Sequence, residues 1–320
     1  MSASWSGSTV VVTGGSGFLG RVVVADLEAR AASVVVPRRR DYDLTDRATA
    51  ERLFAEYRPD VCIHLAAQVG GIGFNQARPA DLYLNNLLMG TNVIEAARRH
   101  DVGKLVLLGT VCSYPKSPPV PFREEFLWDG YPEETNAPYG IAKRAMLVHA
   151  QVNRLQFGQQ SIFLIPTNLY GPGDKFHPSV SHVIPALIKK MVEAVELGHD
   201  KVEVWGTGAA SREYLYVDDA ARGIILAAES YDGPDPVNLG IDHEITIRET
   251  AETIAGLVGF EGSLVWDPTR PDGQPRRRVD AAKAERLFGF RATMDFAEGL
   301  RRTIEWYLAN RVEAERDPYE

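Results

Sequence analysis

The 320-residue chain holds only two cysteines, Cys62 and Cys112. Neither sits at ligand spacing from another cysteine or a histidine, so a disulfide framework and a metal cluster are both excluded and a reducing, cytoplasmic setting is expected. Basic residues are in deficit as well: 35 Lys and Arg against 43 Asp and Glu leave a net charge of −8. Holding a nucleic-acid backbone takes cationic surface, and the cluster Arg38-Arg39-Arg40 is too small to supply it, so no nucleic-acid partner is expected. No stretch approaches the roughly 18 to 20 apolar residues of a membrane span, and Met1 to Ser8 lack the basic and apolar regions of a secretory signal. What is present is an ordinary globular balance, 45% hydrophobic and 24% charged, long enough for one large or two modest domains with ample core.

Short apolar runs alternate with longer segments of helical period. Thr9–Val12, Ser33–Val36, Val61–Leu65, Lys104–Leu108 and Ser161–Ile165 read as buried strands, with helices between them near 20–30, 47–57, 81–100 and 137–157. That rhythm is the pattern of a parallel sheet covered by helices on both faces, a doubly wound α/β fold of Rossmann type. After Pro166 the rhythm loosens into a Pro- and Gly-rich loop. It is followed by helices near 182–197, 217–230, 246–258, 280–288 and 294–309, with short strands at Val202–Trp205 and Val237–Leu239. The expected division is a cofactor domain over residues 1–165 and a smaller substrate lobe over 166–320, some of whose segments return to the sheet. This second half is expected to carry the fewer strands, and Met1–Ser8 and Ala314–Glu320 are expected to fray.

Directly after the first strand stands Gly14-Gly15-Ser16-Gly17-Phe18-Leu19-Gly20, leading into an amphipathic segment. Glycines at 14, 17 and 20 allow a tight turn, close approach to a pyrophosphate and close packing of the helix whose N-terminus faces the anion. The strand-to-helix context is what makes the pattern specific. At the end of the second strand, where a carboxylate would hold the ribose 2′-hydroxyl of NAD, the chain has Pro37-Arg38-Arg39-Arg40. Guanidinium groups there suit a 2′-phosphate and favour NADP, although Asp41 and Asp43 follow closely enough to meet a ribose or the adenine. The Gly-x-x-Gly-x-x-Gly spacing resembles the short-chain dehydrogenase/reductase superfamily.

Tyr139 and Lys143 lie four residues apart in a helical segment, on one face and about one turn from each other. A phenol near its ordinary pKa of about 10 exchanges protons poorly at neutral pH, and a nearby ammonium favours its phenolate. The fourth strand runs into Gly109-Thr110-Val111-Cys112-Ser113-Tyr114. At the carboxyl end of such a strand the hydroxyl of Thr110 is expected to meet a substrate carbonyl beside Tyr139. Cys112 either shares that crevice or packs as a small apolar group, whereas Cys62, inside the third strand, reads as core.

Further segments carry a closer resemblance. Ala67-Gln68-Val69-Gly70-Gly71, Asn85-Asn86, Pro166-Thr167-Asn168-Leu169-Tyr170-Gly171-Pro172, Phe176-His177-Pro178-Ser179-Val180-Ser181-His182-Val183-Ile184-Pro185, Val204-Trp205-Gly206, Arg212-Glu213 and Pro271-Asp272-Gly273-Gln274-Pro275-Arg276 resemble the GDP-L-fucose synthase family over nearly the whole chain. This family belongs to the extended short-chain reductases and carries out 3,5-epimerisation and 4-reduction of a GDP-4-keto-6-deoxy sugar. The resemblance implies that Cys112 is the epimerisation base and His182 its acid, with Thr110, Tyr139 and Lys143 serving reduction. It places NADP against Gly14, Ser16, Gly17, Phe18, Leu19, Gly20, Arg39, Arg40, Asp43, Leu44, Leu65, Ala66, Ala67, Leu108, Tyr139, Lys143, Pro166, Asn168, Leu169 and His182. The nucleotide sugar falls to Asn168, Lys190, Trp205, Arg212 and Asp272. Thr110 replaces the family's usual serine and Lys190 a family arginine, so a GDP sugar other than the fucose precursor stays open.

Three alternatives remain. An NDP-sugar 4-epimerase or 4,6-dehydratase would hold NAD tightly, but the related dehydratases place an Asp-Glu pair where this chain has Val111-Cys112. A related GDP-sugar enzyme could keep only one of the two activities. A non-enzymatic NADP sensor would have no need of Tyr139, Lys143, Cys112 and His182 together. The helices near 81–100 and 137–157 are candidates for pairing two copies into a homodimer.

Overall fold

The computed structural model describes residues 5–270 and 272–316. Pro271 of the family motif and the outermost residues of both termini lie outside the described residues. In chain order, the first half comprises β1 (Thr9–Thr13), α1 (Phe18–Ala29), β2 (Ser33–Val35), α2 (Arg47–Tyr57), β3 (Val61–His64), α3 (Ile72–Ala77), α4 (Pro79–Arg99), β4 (Lys104–Leu108), α5 (Ala137–Phe157) and β5 (Ser161–Pro166). The second half adds β6 (Asn168–Tyr170), α6 (Val183–Leu197), β7 (Lys201–Trp205), β8 (Ser211–Arg212), β9 (Tyr214–Tyr216), α7 (Val217–Ser230) and β10 (Val237–Leu239). It closes with β11 (Ile245–Thr246), α8 (Ile247–Val258), β12 (Ser263–Asp267), β13 (Arg276–Arg277), α9 (Ala282–Phe288), α10 (Phe296–Ala309) and α11 (Arg311–Ala314).

The main sheet is parallel throughout, in the order β10-β5-β4-β3-β1-β2. Strand order reverses between β1 and β3, and this switch opens a crevice at the carboxyl ends of the strands. Alternation along each strand separates two apolar layers. Val10, Val12, Ile63, Val106 and Leu164 pack under α1 and α7, while Val11, Cys62, Leu105, Leu107 and Phe163 pack under α2, α4 and α5. Cys62 is fully buried in the second layer.

A third apolar cluster, among them Phe176, Ile188, Met191, Tyr214, Ile254 and Tyr307, centres the second half. That half holds more strands than expected, eight among the described residues against five before it. Several span two or three residues and carry no apolar run to reveal them in the sequence. The fraying expected at Met1–Ser8 and Ala314–Glu320 is corrected for the described part. Trp5 is buried and its indole N–H donates to Glu229, and Ala314, also buried, accepts from the Phe176 amide at 2.9 Å.

Candidate active site

The glycine loop forms one wall of the crevice. Gly14 has φ +71°, and a Cβ there would stand 2.7 Å from the Ala66 amide nitrogen; one on Gly20 would stand 2.6 Å from Gly15 Cα. These contacts are with backbone, which cannot step aside, so the turn closes only on glycine. Helix α1 starts at Phe18 after Gly17, with no side-chain cap and no acidic residue in its first turn, which suits its N-terminus to an anion. Below the loop Thr13 Oγ1 and His64 Nδ1 are 2.7 Å apart, and the Leu65 and Ala66 amides donate to Thr13 O and Oγ1. Thus Leu65, Ala66 and the half-buried Ala67 are held against the loop. Arg39 and Arg40 are exposed beyond β2, Arg40 pairing with Asp41 at 3.3 Å; Asp43 accepts from the Thr45 amide and hydroxyl, and Leu44 is buried.

The catalytic candidates converge at the ends of β4 and β5. Thr110 is 9% exposed, and its Oγ1 accepts from the Cys112 amide at 3.2 Å, so it shapes the turn that presents Cys112 while its own O–H stays free to donate. A Cβ on Gly140 would strike the Cys112 carbonyl, so this glycine lets α5 lie directly on the turn. On α5 the Lys143 ammonium stands 5.8 Å from the centre of the Tyr139 ring. Lys143 is 2% exposed. Burial alone pulls its pKa down to about 8. Leu108, Pro166 and Leu169 line the neighbouring strand ends. Asn168 donates its amide to the Glu213 carbonyl at 2.9 Å.

His182 is the residue before α6 and is open to the cleft, yet protein surrounds it on most sides. This enclosure, together with the charges of Lys175 and Arg277, lowers its imidazole pKa to about 4. The Gly71 amide donates to Val180 O at 3.2 Å, and a Cβ on Gly71 would stand 2.6 Å from Ser181 O. Gly71 therefore docks the segment after β3 against the one carrying His182. Arg277 of β13 ties the two chemical centres together: it acts electrostatically on His182, and its Nη1 is 3.8 Å from Cys112 Sγ.

The proposed sugar-nucleotide residues gather around the turn after β7. Asp272 accepts from the Thr207 amide and hydroxyl at 2.7 and 2.9 Å, and Arg212 donates to Asp272 O and Gln274 O. The exposed Trp205 ring has Lys190 Nζ 5.9 Å and Arg270 Cζ 4.9 Å from its centre. Arg270, Gln274 and Arg277 are the residues that sequence reasoning left without a role. The run Arg276-Arg277-Arg278 was the available signal, but Cys112 and Arg277 lie 165 positions apart and only the fold joins them.

The cofactor cradle fits a nicotinamide dinucleotide. The glycines leave room that a Cβ would fill, and Lys143, buried beside Tyr139, would offer its ammonium to ribose hydroxyls. Fold and site together define an extended short-chain oxidoreductase with a tyrosine–lysine pair. The sequence model of the NAD dependent epimerase/dehydratase family matches residues 10–240. GDP-L-fucose synthase 1 of Arabidopsis thaliana is 42% identical over 97% of this chain and 96% of its own, and GDP-L-fucose synthase of Escherichia coli is 40% identical over 94% and 97%. The crystal structure of a GDP-L-fucose synthetase from Naegleria fowleri bound to NADP superposes with a TM-score of 0.88 at 29% identity, covering 97% of both chains. The chain belongs to the NAD dependent epimerase/dehydratase family and, within it, to the GDP-L-fucose synthase family.

Proposed function

We propose that the protein is an NADPH-dependent enzyme that epimerises C3 and C5 of a GDP-4-keto-6-deoxyhexose and reduces C4. The observation that carries this reading is the convergence of Tyr139, Lys143, Thr110 and Cys112 on one wall, with His182 sharing Arg277 as a neighbour.

A C4 ketone acidifies the hydrogens at C3 and C5. The Cys112 sulfur takes such a proton, the C–H electron pair moves into an enolate, and a proton returns from the other face through His182, whose imidazole must first take up a proton against the Lys175 and Arg277 charges. Thr110 donates its hydroxyl to the C4 oxygen, and Tyr139 supplies the proton for that oxygen while the Lys143 charge favours the phenolate left behind. NADPH, when bound, supplies the hydride. Arg39 and Arg40 would pair with its 2′-phosphate, and Lys190, Trp205, Arg212 and Asp272 would hold the nucleotide sugar.

With GDP-4-keto-6-deoxymannose the enzyme should consume NADPH and exchange hydrogen at C3 and C5 with solvent. C112S should abolish exchange. No NADPH consumption with GDP-, UDP- or dTDP-linked 4-ketosugars would overturn the reading, and stoichiometric NAD released by heating would favour the epimerase or dehydratase class. The protein works as a cytoplasmic homodimer. Support comes from the exposed apolar residues Tyr83 and Leu84 on α4 and Val148, Val152 and Leu155 on α5, two helices that pack side by side. Among the described residues no helix is long and apolar enough to cross a membrane. Sedimentation as a monomer at micromolar concentration would remove the dimer.

A further inference from the structure

We infer that Arg277, clamped by Gln274, is the charge partner that holds Cys112 as a thiolate for proton abstraction. The inference rests on the epimerisation role proposed for Cys112. Arg277 Nε and Nη2 both donate to Gln274 Oε1, at 2.9 and 2.7 Å, which leaves Nη1 directed at Cys112 Sγ, 3.8 Å away. Gln274 is itself 6% exposed, and its amide donates to the carbonyls of Pro115 and Lys116 at 3.3 and 2.7 Å. Those carbonyls belong to the same loop that carries Cys112. The guanidinium is therefore fixed to the loop it serves, so movement of β13 relative to β4 does not loosen the pair.

A thiolate, not a thiol, removes a proton, and a cation beside the sulfur favours the thiolate. When Cys112 takes a proton from C3 or C5, the S–H bond forms, the C–H bond breaks and its electron pair enters the enolate. Arg277 stays protonated throughout and touches no reacting atom of the sugar, which makes it a positioning residue. Other charged or titratable groups also face this region. They are Arg212 from β8, which interacts electrostatically with Cys112, His182 at the start of α6, Lys175 from the preceding loop, and Tyr139, Lys143 and Arg144 from α5, whose Nε donates to Ser113 O at 2.6 Å. Arg277 contacts the sulfur directly, through Nη1 at 3.8 Å.

The test is the rate of Cys112 alkylation by iodoacetamide from pH 5.5 to 10, read by mass spectrometry on the full chain without sugar; Cys62 is fully buried and serves as internal control. At pH 7, R277M should alkylate Cys112 about tenfold more slowly or worse, with the rate curve displaced to more alkaline pH, while R277K restores most of the loss. NADPH affinity should be unchanged in both variants. Superimposable rate curves for wild type and R277M would overturn the inference, as would a uniform change at every pH. The readout needs no substrate, so a displaced curve with no C3/C5 exchange on any ketosugar would support the Arg277 pairing and count against the proposed reaction.

Discussion

Replacing Lys143 by methionine should make the protein more stable and less active. Lys143 is 2% exposed, and burial lowers its pKa from 10.5 to about 8. Between those values the unfolded chain binds more protons than the folded one, so the folded state is penalised below pH 8 and the penalty fades as pH rises toward 10.5. At about 1.36 kcal/mol per pH unit of difference, the penalty is about 3 kcal/mol at pH 7 and about 2 kcal/mol at pH 9. Methionine has similar length and no charge, so K143M should gain up to that amount in urea unfolding of the cofactor-free protein. Its advantage over wild type should shrink by about 1 kcal/mol between pH 7 and pH 9. Reduction, followed as NADPH oxidation with saturating ketosugar, should fall by about 100-fold or more. A K143M protein less stable than wild type, or equally favoured at both pH values, would refute the reasoning.

Other substitutions test other parts of the framework. G20A should destabilise the fold by about 1 to 3 kcal/mol and abolish NADPH binding, since its Cβ meets the backbone of the glycine loop. G256A, inside α8 with nothing within 4 Å of the new Cβ, should raise stability by up to about 1 kcal/mol in thermal unfolding. E213A should cost about 3 kcal/mol or more in urea, because one carboxylate accepts from the amides of Ile241, Asp242 and Val279 at 2.5, 2.9 and 2.8 Å. Burial, aided by the Lys143 charge, lowers the His64 pKa to about 3, so its stabilising contribution is complete above pH 6.5 and is lost as pH falls toward 3. H64N should reduce the acid-side slope of stability by about 1.4 kcal/mol per pH unit; an unchanged slope would remove His64 from the account.

The first five strands were legible because continuous apolar runs bounded by turns have few other uses, and they differ from expectation by a residue at the ends of β1, β2, β3 and β5. The helix α8, expected near 246–258 from its period, begins at Ile247, where Thr246 and Glu249 form a reciprocal cap. Strands β8, β11 and β13 are two residues long, held by tertiary contacts rather than local preference, and no periodicity could mark them. In the site, Tyr139 and Lys143 could be paired from helical spacing and the glycines from their order after β1. His182 gained its role only through family resemblance, since a histidine before a helix has many uses. Arg277 could not be found: its meaning is a 3.8 Å contact across 165 positions.

The edge strand β10 follows about seventy residues after β5, its neighbour in the sheet, and pairs with it in parallel from Val237 to Leu239. Everything between them leaves the sheet at one strand and returns at the next, like a loop of rope tied at both ends to one rail. A fragment ending at residue 165 would therefore do more than lose the residues proposed to hold the sugar nucleotide. It would bare the hydrogen-bonding edge of β5 and uncover the layer that α7 shields, including Ile162 and Leu164. Such a piece is expected to associate through that edge, so genetic fusions or split reporters should join at the termini rather than between the two halves.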